Sequence, residues 1–210
     1  MPAGVVALAV GGPLAVAAAW VTVGARKLSV WAAMGILMPV LGGLSLATGW
    51  VTSVGPGRSA AGWAVLGLGA GVALYAATAG FMSLAGRWPP LARHTESLYG
   101  ERRSISLPGA LSVSVLLVVP GEELLWRGVV MSSLEHALEA SILAAVLQWS
   151  AYVTASLFSR SIPIVLSAVV GGAAWTALAW WSGGVVAALS CHGVWTALMV
   201  ARPPVPRRIS

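Results

Sequence analysis

Long apolar runs constrain this chain more than any other feature. A helix that crosses a bilayer needs about 20 mostly apolar residues, and reading for such runs gives seven candidate spans, approximately 4–23, 30–51, 61–84, 108–134, 140–158, 163–181 and 184–200. Breaker signals divide them: Gly24 to Ser29, Ser53 to Ser59 with Pro56, and the 87–107 segment with Pro89 and Pro90. The runs are unbroken, whereas barrel strands alternate every second residue. The expected fold class is therefore all-α, a polytopic transmembrane helix bundle of about seven spans. Composition agrees: 9% of the residues are charged, against about 25% in a typical soluble domain.

The basic residues order the connections. Ten Lys and Arg fall on one side of this arrangement, Arg58 alone falls on the other, and Arg127 sits inside the fourth span. The asymmetry predicts an N-terminus outside and a C-terminus in the cytoplasm. The net charge of +6 is thereby read as a mark of cytoplasmic loops, not as a nucleic-acid surface. Met1-Pro-Ala-Gly lacks the basic start of a signal peptide and reads as the beginning of a span that stays. The expected location is an integral position in the plasma membrane of a prokaryote, with the lipid bilayer as a constant partner. Trp20, Trp31, Trp50, Trp88 and Trp181, near span ends, are expected as interfacial anchors.

The chain divides into a three-span region (1–86), a basic cytoplasmic loop (87–107), a region with intramembrane charge (108–200) and a basic tail (201–210). In the first region Gly67 and Gly71 form a GxxxG, read either as a dimer face or, with more weight, as ordinary small-residue packing. The 87–107 segment reads mainly as a solvated loop, with an amphipathic surface segment as the alternative.

Residues that can carry charge inside a span are costly and mark candidate sites. Glu122, Glu123, Arg127 and His192 are such residues. Glu123 and Arg127, at i and i+4, are oriented for an ion pair, which either serves a site or only staples the helix. Glu122 points about 100° away from Glu123 on an ideal helix. It reads either as a general base near neutral pH or as a neutral side chain hydrogen-bonded to a neighbour. His192 matches Glu122 in depth, and Thr196 follows one turn later on the same face. Gln148, Tyr152 and Ser156 form an i, i+4, i+8 stripe that could face the carboxylates or make ordinary interhelical hydrogen bonds. Cys191 reads as a small apolar filler, and a single cysteine excludes a disulfide framework. The absence of Asp, of HExxH and of GxSG with a partner His excludes other membrane protease types.

Gly121-Glu122-Glu123-Leu124-Leu125-Trp126-Arg127-Gly128 resembles the EExxxR-G signature of the CAAX-protease and bacteriocin-processing (CPBP, or Abi) family. Ser182-Gly183-Gly184 followed by His192-Gly193-Val194-Trp195-Thr196 is similar to that family's last motif, TGs…HxxxN. The resemblance covers about residues 108–200 and implies a helical intramembrane endopeptidase, a CAAX prenyl protease-like enzyme in which a glutamate activates water. Carried over by position, it implies Glu122 as the base, Glu123 and Arg127 as its support, and His192 and Thr196 at the positions of the His and Asn that stabilise an oxyanion. Two positions depart from the pattern: Thr196 replaces the Asn, and in Tyr152-Val153-Thr154-Ala155-Ser156 a serine stands where the FxxxH motif has its histidine.

Three functions follow as expectations. The first is a glutamic-type endopeptidase that cuts near a membrane-embedded or lipidated segment of a membrane protein or peptide. The second is a family member impaired in catalysis that serves as a membrane scaffold or immunity factor, and the third is a proton-coupled transporter, with Pro120 as its hint of a broken span. No cofactor is expected; a metal ion is the disfavoured alternative, because one His and two Glu make a poor ligand set.

Overall fold

A computed structural model describes residues 1–55, 57 and 59–204. Pro56, Arg58, Arg207 and Arg208, which entered the reading of the connections and the tail, lie outside the described residues. Among the described residues there are helices and no strands. In chain order the helices are α1 (Ala3–Gly24), α2 (Val30–Ala47), α3 (Ala60–Ala85), α4 (Pro89–Arg102), α5 (Leu107–Leu138), α6 (Ser141–Leu157), α7 (Ile162–Ser182) and α8 (Val186–Ala201). Five of these (α1, α2, α3, α5 and α7) are long and apolar enough to cross a membrane; α6 and α8 are shorter apolar helices. All seven fall where the apolar runs predicted helices. Large apolar side chains such as Leu14, Ile36, Val65, Leu116, Ile142 and Val170 are exposed around the bundle, as a bundle solvated by lipid requires. The chain is an integral membrane protein.

Local chemistry sets the helix ends. Ser29, Ser59 and Ser106 each accept a hydrogen bond from a backbone N–H in the first turn of α2, α3 and α5, which satisfies a donor that the helix itself leaves free. At the far end of α7, Gly183 takes the left-handed conformation, φ +65°, that closes a helix without steric cost to glycine.

The connections gather at two ends. At one end, Glu101 of α4 accepts from the Val30 N–H and, through its backbone carbonyl, from the Trp31 indole. His94 Nδ1 accepts from the Ile162 N–H, and the Tyr99 hydroxyl donates to the Met199 carbonyl. At the other end, the Val185 N–H donates to the Thr52 carbonyl and Trp50 packs edge-on against His136. The described basic residues outside the spans belong to the first end.

α4 corrects the reading of 87–107 as mainly a solvated loop. Pro89 and Pro90 begin a helix here: they occupy its first turn, where a missing N–H costs nothing and the fixed φ suits the helix. Leu91 and Thr95 are buried on its inner face, while Arg93 and Glu96 point outward. Burial, and secondarily the nearby Tyr75, pushes the Tyr99 phenol above its ordinary range, so Tyr99 stays neutral and donates. Trp20 is a second correction: it lies in the core with Met34, Met38 and Trp126 and is no interfacial anchor.

α5 is the axis of the bundle. It is one helix of 32 residues with widened π turns at Ser112–Val118 and Leu124–Val130. The first widening precedes Pro120, whose ring crowds the carbonyl one turn back and which has no N–H to give it; wider turns relieve that crowding. Pro120 thus bends the local winding without breaking the span. Gly121 lets α2 approach, because a methyl group there would fall on the Met38 carbonyl.

The Gly67/Gly71 pair is an internal contact. A methyl group at Gly67 would meet the Ala187 carbonyl, and one at Gly71 would meet the Cys191 carbonyl and the Val194 side chain. α3 therefore lies against α8, which carries His192, and the glycines face their own chain. Overpacking such a seam costs about 1–3 kcal/mol. Gly71→Val is expected to lower the thermal unfolding midpoint in detergent by roughly 5 °C. Gly69→Ala, whose new methyl meets nothing within 4 Å, is expected to leave it unchanged.

Candidate active site

Four ionisable side chains meet in the middle of the bundle, with relative exposures of 7% for Glu122, 0% for Glu123, 2% for Arg127 and 5% for His192. Charges this deep persist only when paired and hydrogen-bonded. Arg127 Nη1 donates to Glu123 Oε1 over 3.1 Å, one turn along α5. Arg127 Nη2 reaches across to α7, donating to the Gly172 carbonyl at 3.2 Å and to Thr176 Oγ1 at 3.3 Å. Thr176 in turn donates to Gln148 Oε1 of α6 at 3.0 Å. The guanidinium also lies 4.8 Å from the centre of the Tyr152 ring and 5.7 Å from that of Trp175, close enough for cation–π attraction. One arginine thus ties α5, α6 and α7 together.

His192 stands between the two carboxylates. Its Nδ1 is 2.8 Å from Glu123 Oε1 and its Nε2 is 3.9 Å from Glu122 Oε2. Glu123 Oε1 already accepts from Arg127, so the short contact with the imidazole requires an N–H on Nδ1. That leaves Nε2 directed toward Glu122. The Trp175 ring lies flat on the imidazole, 3.6 Å between centroids at 14°, and fixes its plane. An ideal helix separates Glu122 and Glu123 by about 100° and gives them different surroundings. A ring with two nitrogens nevertheless faces both.

The predicted polar stripe on α6 is buried at Gln148, Tyr152 and Ser156, but its members act differently. The Tyr152 hydroxyl donates to Glu122 Oε2 at 3.1 Å. Gln148 serves Thr176 and through it Arg127. The Ser156 hydroxyl donates to the Tyr152 carbonyl of its own helix at 2.9 Å, away from either carboxylate. On α8, Thr196 has a buried Oγ1 without a hydrogen-bond partner. Cys191 is buried and fills space as expected.

Glu122, Tyr152, Ser156, His192 and Thr196 line one cavity of about 570 Å³. From these groups the cavity runs to the basic end, where Leu91, Thr95, Tyr99 and Arg102 of α4 form its floor. Its other walls are mainly apolar side chains of α2, α3 and α7. A metal ion does not fit the donor set. Glu123 Oε1 is taken by Arg127 and His192, and among the described residues no three His, Cys, Asp or Glu side chains are grouped to hold one. The arrangement places a carboxylate, an imidazole, a phenol and two hydroxyl-bearing side chains around one cavity.

Sequence reasoning missed Trp175 and Thr176. Trp175 carried one usable signal, since it lies mid-span and not at a membrane interface. Thr176 carried none, because a threonine in an apolar helix is ordinary.

The fold and the site define a membrane-embedded helical bundle with a buried acid–imidazole centre. Residues 104–198, within the C-terminal half of the chain, match the family described as type II CAAX prenyl endopeptidase Rce1-like, so this segment is similar to CAAX protease-like membrane endopeptidases. No curated protein and no solved structure matches the chain.

Arg127 is the side chain on which the site's rigidity rests. Removing one partner of a buried pair typically costs about 3–5 kcal/mol, since the other charge is left unpaired. Arg127→Met is expected to lower the unfolding midpoint sharply. The double variant Glu123→Gln/Arg127→Met is expected to recover part of that loss in the same measurement, because no buried charge is then stranded.

Proposed function

We propose that this protein is a glutamic-type intramembrane endopeptidase in which Glu122 activates the attacking water. One observation carries the reading: Glu122, His192 and Thr196 line the same cavity, with His192 Nε2 3.9 Å from Glu122 Oε2. A scissile carbonyl in that cavity would have a base on one side and two donors on the other.

The chemistry follows from these positions. Glu122 takes a proton from water as the water oxygen bonds to the carbonyl carbon, and the carbonyl electron pair moves onto oxygen. His192, carrying a proton on each ring nitrogen in this step, donates through Nε2–H, and the Thr196 hydroxyl donates beside it, to the resulting oxyanion. The C–N bond then breaks, the oxyanion returns as a carbonyl, and the proton held by Glu122 passes to the leaving amine. Glu123 holds His192 by Nδ1 so that its other edge stays available, and Trp175 prevents the ring from turning. The bundle excludes bulk water, which strengthens each of these interactions.

The substrate is a membrane protein or a lipidated peptide. An apolar chamber reached from an interfacial helix suits a peptide bond next to a membrane-embedded or lipid-bearing segment. In this reading the basic end faces the cytoplasm of a prokaryotic cell and the plasma membrane is the site of action. Ser156 supports a second reading, a scaffold or immunity factor without turnover, because its hydroxyl is engaged by its own helix.

The test compares protein termini in membranes of cells that express the wild type or Glu122→Gln at matched levels. New termini found only with the wild type are expected, with product falling at least about 100-fold in the variant. Identical termini would overturn the protease. Retained capture of a membrane partner by both proteins would then favour the scaffold, and a pH-driven flux lost only in Glu122→Gln would favour transport.

A further inference from the structure

Glu122 is faced by four ionisable groups: Glu123 and Arg127 from α5, Tyr152 from α6 and His192 from α8. Of these, only Tyr152 makes a direct hydrogen bond to it, at 3.1 Å, while the nearer nitrogen of His192 stands off at 3.9 Å. The phenol itself is fixed from three directions. The Trp126 ring meets it edge-on at 5.3 Å, Arg127 lies over its face at 4.8 Å, and a methyl group at Gly172 would strike its ring. A side chain held this firmly, with its one polar atom on the carboxylate, is doing more than filling the core. The next polar position on the same face, Ser156, is turned back onto the Tyr152 carbonyl and offers Glu122 nothing.

We propose that Tyr152 is the positioning residue for Glu122, its phenol holding the carboxylate while Ser156, where the resembled motif has an imidazole, is turned back onto its own helix. The inference rests on the hydrolytic reading of Glu122. Donation from the phenol to Oε2 fixes the carboxylate plane and leaves Oε1 toward the cavity for water. Tyr152 passes no proton through the reaction: it donates before, during and after the attack. An unperturbed phenol titrates near 10, an imidazole near 6.5, so the two solutions differ in a measurable way. A site oriented by phenol has no ionisation from the orienting group in the neutral range, and a site oriented by imidazole has one.

The experiment uses full-length protein in liposomes with a substrate identified from the terminus comparison, and four forms: wild type, Tyr152→Phe, Ser156→His, and the double variant Tyr152→Phe/Ser156→His. Tyr152→Phe is expected to lower kcat roughly 10- to 100-fold with KM within about threefold, the scale of a misoriented catalytic group. Its unfolding midpoint should stay near that of the wild type, since the ring is kept. The double variant is expected to regain at least about a tenth of wild-type kcat and to show a new limb in its pH–rate profile near 6–7. Labelling of Glu122 by a hydrophobic carbodiimide gives a readout without turnover. Its pH dependence should be displaced in Tyr152→Phe relative to the wild type. Wild-type-like kcat and wild-type-like labelling in Tyr152→Phe would overturn the proposal while leaving the protease standing. Loss of kcat with no displacement in labelling would also overturn it, because the effect would not pass through Glu122. Absence of Glu122-dependent cleavage in the wild type would instead remove the hydrolytic reading, and this inference with it.

Discussion

The contact between Glu123, Arg127 and His192 holds the rest of the structure in place. A carboxylate that is entirely buried in an apolar bundle is tolerable only while cationic or donor groups surround it. Arg127 and the Nδ1 edge of His192 meet that demand on one oxygen, Oε1. Satisfying Glu123 therefore fixes where α8 must sit relative to α5. The contacts of Arg127 Nη2 place α7 through Gly172 and Thr176, and α6 follows through Gln148. The electrostatic need of a single group thus specifies the mutual placement of four helices, which apolar packing alone would leave loosely determined among lipid-like surroundings.

That placement creates two different carboxylates from adjacent residues. Glu123 has Arg127 and His192 on its Oε1 and serves to hold helices together. Glu122 has a phenol on one oxygen and lines the cavity. The difference comes from the neighbours of each residue and not from the residues themselves, the same principle by which paired acids acquire separate roles in hydrolytic enzymes.

Much of this was legible in the sequence because apolar length and intramembrane charge are strong signals. The seven apolar runs became helices within a few residues of their expected limits, although the second stops at Ala47 where the run reached Val51. Glu122, Glu123, Arg127 and His192 stood out because each is expensive where it lies, and the match over residues 104–198 coincides with the segment that holds them. What escaped were features that depend on partners distant in sequence. α4 was hidden because Pro89 and Pro90 punctuate a chain equally well as loop residues or as a first helical turn. The role of His192 as a bridge depends on ring orientation, which Trp175 sets from another helix. The difference between Tyr152, which reaches a carboxylate, and Ser156, which does not, is a rotamer outcome that no spacing rule contains.

The bare backbone of Gly121 carries a consequence for how the chain is divided. The residue just before Glu122 rests directly on the Met38 carbonyl of α2, and Gly42, one turn on along the same helix, also lies close to Gly121. The turn of α5 that carries Glu122 is therefore backed by peptide backbone from the N-terminal half, outside the segment that matches the family. Backbone places few demands on residue type beyond small size at the crossing. The first helices also line the cavity, through Trp20, Met34 and Leu74, although they lie outside the matched segment. The boundary at which sequence kinship ends is not the boundary of the machine, and residues 104–198 by themselves would be a site with one side missing.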